Sequence, residues 1–279
     1  MKKKRHYIIP IAMLLLMAVI MTGCGRMEQQ RRLNSLIAAG DNEAAKELVD
    51  KGYSLNDTFL SDMFISILTQ NESNEATPLY TACLNGNDEM TRYLLENGAD
   101  PNVTRFRREY PFVLYLKNSY ASDESLLDLF IEKGVDLNRY EIRPPMVALM
   151  KHYYRFDDES EAENTEKIEI VERELRVLIM HGLKWQNDDP YTQYAGYSIL
   201  HFVAATDRTD FMKELLTYDN AMDYLNSQTS DGYTPLHFAA FNNEIAMYDF
   251  LVSAGADVTI RDDDGKTAEE YLSASDAWE

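Results

Sequence analysis

Positive charge, thiols and histidine are scarce in this chain: 27 basic residues face 47 acidic ones, with two cysteines and five histidines in 279 residues. The formal net charge of −20 repels phosphate backbones and anionic headgroups, so nucleic-acid binding is not expected. Cys24 and Cys83 allow one disulfide at most, and none if Cys24 is engaged otherwise. No HExxH, CxxC, P-loop, GxGxxG or GxSxG pattern occurs, which removes the recognisable signatures of zinc, nucleotide and serine-nucleophile chemistry. The acidic run at Arg261–Tyr271 is no calcium loop. With Gly265 at the sixth position, Ile260 and Tyr271 stand at the first and twelfth, where carboxylates are required. No metal, no cofactor and no catalysis are expected.

What is present begins at the N-terminus. Lys2, Lys3, Lys4 and Arg5 precede an apolar stretch from Ile8 to Met21, followed by Thr22-Gly23-Cys24. This is the order of a secretory leader, and its last residues resemble a bacterial lipobox, whose cysteine is acylated and becomes the first mature residue. The apolar stretch is roughly 14 residues, against the ~20 that a spanning helix needs. The expected location is therefore the bacterial cell membrane, with the chain lipid-anchored at Cys24 and facing the exterior or the periplasm. The boundaries that follow are a signal peptide over 1–23, a lipidated cysteine with a short linker over 24–32, and a folded region over 33–279.

The folded region repeats itself. ATPLYTACLNGNDEMTRYLLENGADPNV (76–103) and DGYTPLHFAAFNNEIAMYDFLVSAGADVTI (231–260) share Thr-Pro-Leu, a small-residue pair, a polar turn, an apolar helix and Gly-Ala-Asp. Gly52, Gly98, Gly134, Gly182 and Gly255 each close such a helix, where a left-handed backbone turns the chain out. One further unit, SILHFVAA with DFMKELL, has no closing glycine and runs through Tyr218-Asp219-Asn220-Ala221. Apolar residues at helical spacing fill the space between units, and no unit can bury its apolar face alone, so the units must stack. Cys83 stands where the repeat has its second small residue and is expected to be a buried alanine substitute.

These motifs resemble the ankyrin repeat. The resemblance implies an all-α ankyrin-repeat solenoid of about six helix-pair units with a truncated C-terminal cap. Insertions interrupt it at 57–75 and within 152–166. The second begins an acidic run with nine carboxylates against two cations between Asp157 and Glu174, which fits either a solvated helix extension or a loop that reaches a partner. His201 and His237 occupy the repeat's Leu-His position, where the resemblance implies a hydrogen bond to the neighbouring unit rather than catalysis.

The resemblance also implies a concave groove lined by Ala76, Leu84 and Asn85; by Tyr197, Ala205 and Thr206; and by Asp231, Tyr233, Phe241 and Asn242. Tyr233 and Phe241 are the anchor candidates, because exposed aromatics dominate many interfaces, whereas Leu236 and Leu251 are expected in the core. The function this implies is a monomeric, membrane-anchored scaffold that binds a protein partner, with no enzymatic step. Two alternatives stand beside it: an inhibitor or immunity-type protein neutralising an exported toxin or hydrolase, and an enzyme using an unrecognised site in the insertions.

Overall fold

Thr77 and Pro78 show how local chemistry starts a repeat. Thr77 is extended (φ −63°, ψ 154°), its hydroxyl accepts the Tyr80 N–H, and Pro78 occupies the first turn, where the N–H it lacks would have no partner. The computed structural model describes residues 25–57, 76–103, 110–118, 124–138, 161–190 and 194–275, with backbone alone at 124, 161–167 and 273–275. The chain divides into two compact units, Met1–Val135 and Asp136–Glu279.

The N-terminal unit contains α1 (25–39), α2 (Asn42–Asp50), α3 (Pro78–Leu84), α4 (Asp88–Glu96), α5 (Pro111–Asn118) and α6 (Glu124–Glu132). The C-terminal unit contains α7 (Glu161–Met180), α8 (Ile199–Ala204), α9 (Thr209–Leu215), a 3₁₀ turn (Ala221–Tyr224), α10 (Pro235–Phe241), α11 (Ile245–Ser253) and α12 (Ala268–Ser275). First helices pack on first helices, α3 on α5 and α10 on α8 and α12; second helices pack on second helices, α2 on α4, α4 on α6 and α9 on α11. Two helical layers result in each unit. Among the described residues no strand forms, only isolated antiparallel bridges at Gln186–Ser198 and Arg261–Thr267. The all-α ankyrin solenoid is thus the observed fold class.

All five closing glycines take left-handed backbone, with φ between 77° and 102°. In the unit without one, Asn220 does the same at φ 63°, consistent with asparagine's tolerance of that region. Ala221 follows it into the core as Ala99 and Ala256 follow their glycines. Asn220 is therefore the missing punctuation, displaced by a short turn after α9.

Residues 25–32, expected as a linker, are instead the first turns of α1. Met27, Gln30, Leu33 and Ile37 recur every three or four residues and are all buried, so one face of the helix continues past the expected boundary. Gln30 uses that burial: its Nε2 donates to the carbonyls of Ala76 (3.0 Å) and Asp57 (3.3 Å), and Asn34 Nδ2 donates to the Ala76 carbonyl at 2.6 Å. In the acidic insertion, residues 161–180 form one helix, and Glu172 and Glu174 on it are buried. Residues 58–75 of the first insertion, residues 139–160, which include 152–160 of the second, and the leader with Cys24 lie outside the described residues. Among the described residues no helix is long and apolar enough to cross a membrane.

Candidate functional site

Rigidity comes first, because a repeat surface can only recognise a partner if neighbouring repeats are locked in register. The two repeat histidines supply one lock. His201 Nδ1 accepts the Ser198 N–H at 2.9 Å, and His237 Nδ1 accepts the Thr234 N–H at 3.2 Å. That acceptance fixes the neutral tautomer with its proton on Nε2. Nε2 then donates to the carbonyl of the next hairpin, Tyr233 for His201 (2.9 Å) and Lys266 for His237 (3.2 Å). Burial is the first cause that pushes the His201 imidazole down to about 4, and it also lowers His237. Both rings are spacers between repeats.

The second lock was not read from the sequence. Asn56, Asn102 and Asn138 each follow a closing glycine by four residues, and each donates its Nδ2 to the next repeat's glycine carbonyl, Gly98, Gly134 and Gly182, at 2.9 Å. Asn56 Oδ1 in return accepts the Asp100 N–H, and Asn138 Oδ1 the Lys184 N–H, both at 2.8 Å. Asn226 accepts the Asp257 N–H in the same way at 2.9 Å. Its mark in the sequence is the recurring Gly-x-x-x-Asn of GYSLN, GADPN and GVDLN.

In the C-terminal unit the loops before α8, α10 and α12 stack as well. Ser230 N–H donates to Ala195 O (2.9 Å), and Asp263 N–H to Asp231 O (3.1 Å). Gly232 sits so close to the next loop that a Cβ would lie 2.9 Å from the Asp262 Cα. This contact requires glycine on steric grounds as well as through its φ of 83°.

On these stacked elements lies a row of aromatic rings. YSILHF, YTPLHF and KTAEEY are the same repeat positions, so Tyr197, Tyr233 and Lys266 fall in one row and Phe202, Phe238 and Tyr271 in the next. The rings touch in sequence. Tyr194 meets Tyr197 at 5.5 Å between centroids, Tyr197 meets Phe238 at 5.4 Å, Phe238 meets Tyr233 at 6.3 Å, Tyr233 meets Phe241 at 5.1 Å, and Phe241 meets Tyr271 at 4.1 Å. Most are edge-to-face, the geometry favoured by ring quadrupoles. All six keep solvent access, and Phe241 is 47% exposed. The Tyr271 hydroxyl donates to the Asp262 carboxylate, which fixes the terminal ring.

The groove residues read from the sequence divide accordingly. Tyr197, Asp231, Tyr233, Phe241 and Asn242 stand together in the C-terminal unit, half-buried or exposed. Thr206 is half-buried and returns its hydroxyl to the Val203 carbonyl at 2.8 Å. Ala205 is 7% exposed and Ala76 8%. Their methyl groups support the packing and present no recognition surface. Leu84 (51% exposed) and Asn85 lie on the N-terminal unit, where Asn85 Nδ2 donates to Thr81 O at 2.8 Å. Tyr194, Phe238 and Tyr271 belong to the aromatic row but were not read as site residues. Leu236 and Leu251 are core, as expected, and Cys83 is fully enclosed, its thiol pushed up to about 12 by burial.

A cavity of about 290 Å³ lies elsewhere, lined by Glu172, Arg176, Arg208, Phe211 and Glu214 among others. Arg208 binds Glu172 with two contacts (2.7 and 3.2 Å), and Arg176 binds Glu214 likewise (2.6 and 2.8 Å). Arg176 also lies 4.8 Å from the Phe211 ring centre. The hydrogen bond to Glu214 is the first cause that raises the Arg176 guanidinium, and its partner bond lowers Glu214. With both guanidiniums engaged, this is a clamp between α7 and α9.

Comparison with known proteins agrees with this architecture. Family models described as ankyrin repeats match residues 64–113 (many copies) and 162–262 (three copies), together just over half of the chain. Ankyrin repeat domain-containing protein 40 of Mus musculus and that of Homo sapiens are each 33% identical over 87 residues, 31% of this chain. The match spans about a fifth of those relatives, 21% and 20%. Among solved structures, the human ASB11 ankyrin repeat domain superposes with a TM-score of 0.55 at 22% identity, covering 87% of this chain and 96% of that one. The ankyrin repeat domain of Bcl-3 gives 0.57 at 18%, covering 88% and 97%. Repeat signature, two-layer stacking and inter-repeat locks lead to one conclusion: the chain belongs to the ankyrin-repeat family.

Proposed function

We propose that this chain is a non-catalytic protein-binding scaffold whose C-terminal unit docks a partner on the face carrying Tyr197, Tyr233 and Phe241. The observation that carries the reading is the uninterrupted row of six solvent-accessible rings. Aromatic side chains offer large contact area with only two torsions to immobilise, which is why they concentrate binding energy. The histidine and asparagine locks hold the rings in place before a partner arrives, so little ordering cost is left for the binding step.

Export belongs to the same proposal. The basic start, the apolar stretch and Thr22-Gly23-Cys24 support a lipoprotein held at a bacterial membrane through Cys24, with the repeat face free to reach partners outside the cytoplasm. Stable anchoring needs more than one acyl chain, so Cys24→Ser is expected to move the chain from the membrane to the soluble fraction without unfolding it. Unchanged fractionation would point to a spanning anchor instead.

The docking surface is tested by placing a photo-crosslinking phenylalanine analogue at position 241, 84 or 252 of the full-length protein in its native cells. The proposal expects one discrete crosslinked product from 241 and none from 252 on α11. A product from 252 alone would move the docking surface to the second-helix layer.

A further inference from the structure

The aromatic row ends under a cation that the chain supplies itself. Lys266 Nζ lies 4.9 Å from the centre of the Tyr271 ring, an arrangement held by the ring quadrupole. Lys266 occupies the repeat position that Tyr197 and Tyr233 hold in the preceding loops, so the face already carries one ammonium group on one ring. Over Tyr197, Tyr233, Phe238 and Phe241 no cation of the described residues lies.

The rim is carboxylate. Asp231, Asp263 and Asp264 are exposed at successive loop tips, and the tips are adjacent, as the Asp263 N–H bond to Asp231 O shows. None of the three has an ion-pair partner among the described residues. Asp207 and Glu244 add negative charge at the turns after α8 and α10. Residues 231–275 hold nine carboxylates against Arg261 and Lys266, and Arg261 is paired with Glu270 at 3.2 Å. The field reaches the rings: burial and then Asp262, Asp264 and Asp231 raise the Tyr233 phenol, and burial and then Asp231 raise Tyr197.

We infer that this face takes an extended, arginine- or lysine-bearing segment of a partner protein, with cationic groups stacked over Phe241 and Tyr233 and paired with Asp231, Asp263 and Asp264. The inference rests on the docking reading above and names the chemistry of its partner. An acidic segment would be repelled within the ~8–10 Å over which charges act at ordinary ionic strength. A neutral apolar segment would use the rings and leave the carboxylates without a role. A cationic segment uses both, because its methylenes lie on the rings while its head meets the rim.

The test measures binding of fluorescein-labelled (Arg-Gly)₅ to the full-length protein by fluorescence anisotropy. (Citrulline-Gly)₅ serves as the uncharged isostere and (Glu-Gly)₅ as the charge reversal. The arginine peptide is expected to bind at least tenfold more tightly than either. Tyr233→Ala with Phe241→Ala, which leaves net charge untouched, should weaken it tenfold or more at unchanged circular dichroism. Asp231→Asn, Asp263→Asn and Asp264→Asn together should weaken it and flatten its salt dependence. Equal binding of the citrulline peptide, or binding indifferent to the two rings, overturns the inference. A crosslink from position 241 that the arginine peptide fails to compete leaves the docking reading standing and defeats the cationic segment alone. Crosslinking confined to position 252 defeats the docking reading itself.

Discussion

The two units place their clusters of touching aromatic rings differently. In the N-terminal unit Phe112, Tyr115 and Phe130 cluster at 5.0–6.1 Å between centroids and are all buried. In the C-terminal unit Tyr197, Tyr233, Phe238 and Phe241 lie at the surface. The positions equivalent to Phe238 and Phe241 in the earlier TPLYTACLN repeat are Thr81 and Leu84. In the third repeat they are Leu114 and Lys117. Backbone and the asparagine lock are common to both units, whereas the side chains at these positions change from repeat to repeat.

The largest expected effect tests what the units share. Leu79 and Leu236 hold the same repeat position and are each 1% exposed, so Leu79→Ala and Leu236→Ala should each destabilise their unit by ~2–5 kcal/mol. Hydrogen exchange resolved by peptide in the intact chain reads the units separately. A loss confined to one of the two variants would break the claim of a common core.

Acid should separate the units. Residues 25–135 contain no histidine, whereas His201 is buried neutral and pushed down to about 4. Above the ordinary imidazole value of ~6.5, neither folded nor unfolded chain carries the proton. Below it only the unfolded chain binds one, until about pH 4, so stability falls with pH across that window. At ~1.4 kcal/mol per unit the C-terminal unit should lose about 3 kcal/mol through His201, with His237 adding in the same direction. His201→Gln should remove most of that slope, and equal acid sensitivity of both units in exchange measurements would contradict the assignment.

Smaller effects sharpen the comparison. Glu172 is buried beneath Arg208, so Glu172→Gln should cost about 2 kcal/mol in the C-terminal unit alone. Asn56→Ala and Asn226→Ala each remove the side-chain acceptor of a backbone N–H in the next repeat, Asp100 and Asp257, and should cost about 1 kcal/mol each, read as shifts in denaturant midpoint. A clear inequality would show that the asparagine lock is not common to both.

Much of this was legible in the sequence, and the reasons are local. Thr-Pro-Leu, the closing glycines and the Leu-His pairs each specify a backbone event within a few residues. The third repeat, with Tyr110-Pro111-Phe112 in place of Thr-Pro-Leu, still forms α5. What escaped depended on neighbours. Gln30 is polar by type, but its place on the buried face of α1 makes it a donor to Ala76 and Asp57. Asn220 performs a glycine's turn because its side chain tolerates φ 63°. Ala76 and Ala205 fit the groove pattern and yet are buried, since position in a repeat fixes direction but a methyl group does not reach the surface. Phe238 and Tyr271 were passed over because their repeat position is not among those read as groove-facing, and only the stacked loops bring them beside Tyr233.

The central claim is that the C-terminal aromatic face, and not its aliphatic counterpart, carries recognition. The direct measurement is partner affinity and thermal stability for Tyr233→Ala/Phe241→Ala beside Leu84→Ala/Asn85→Ala, using the partner crosslinked at position 241. The account predicts a loss of ~2 kcal/mol or more in binding for the aromatic pair with a small change in melting temperature, and near-normal binding for the aliphatic pair. An aromatic pair that lowers the melting temperature while the folded fraction binds normally would show that these rings are packing residues and contradict the account.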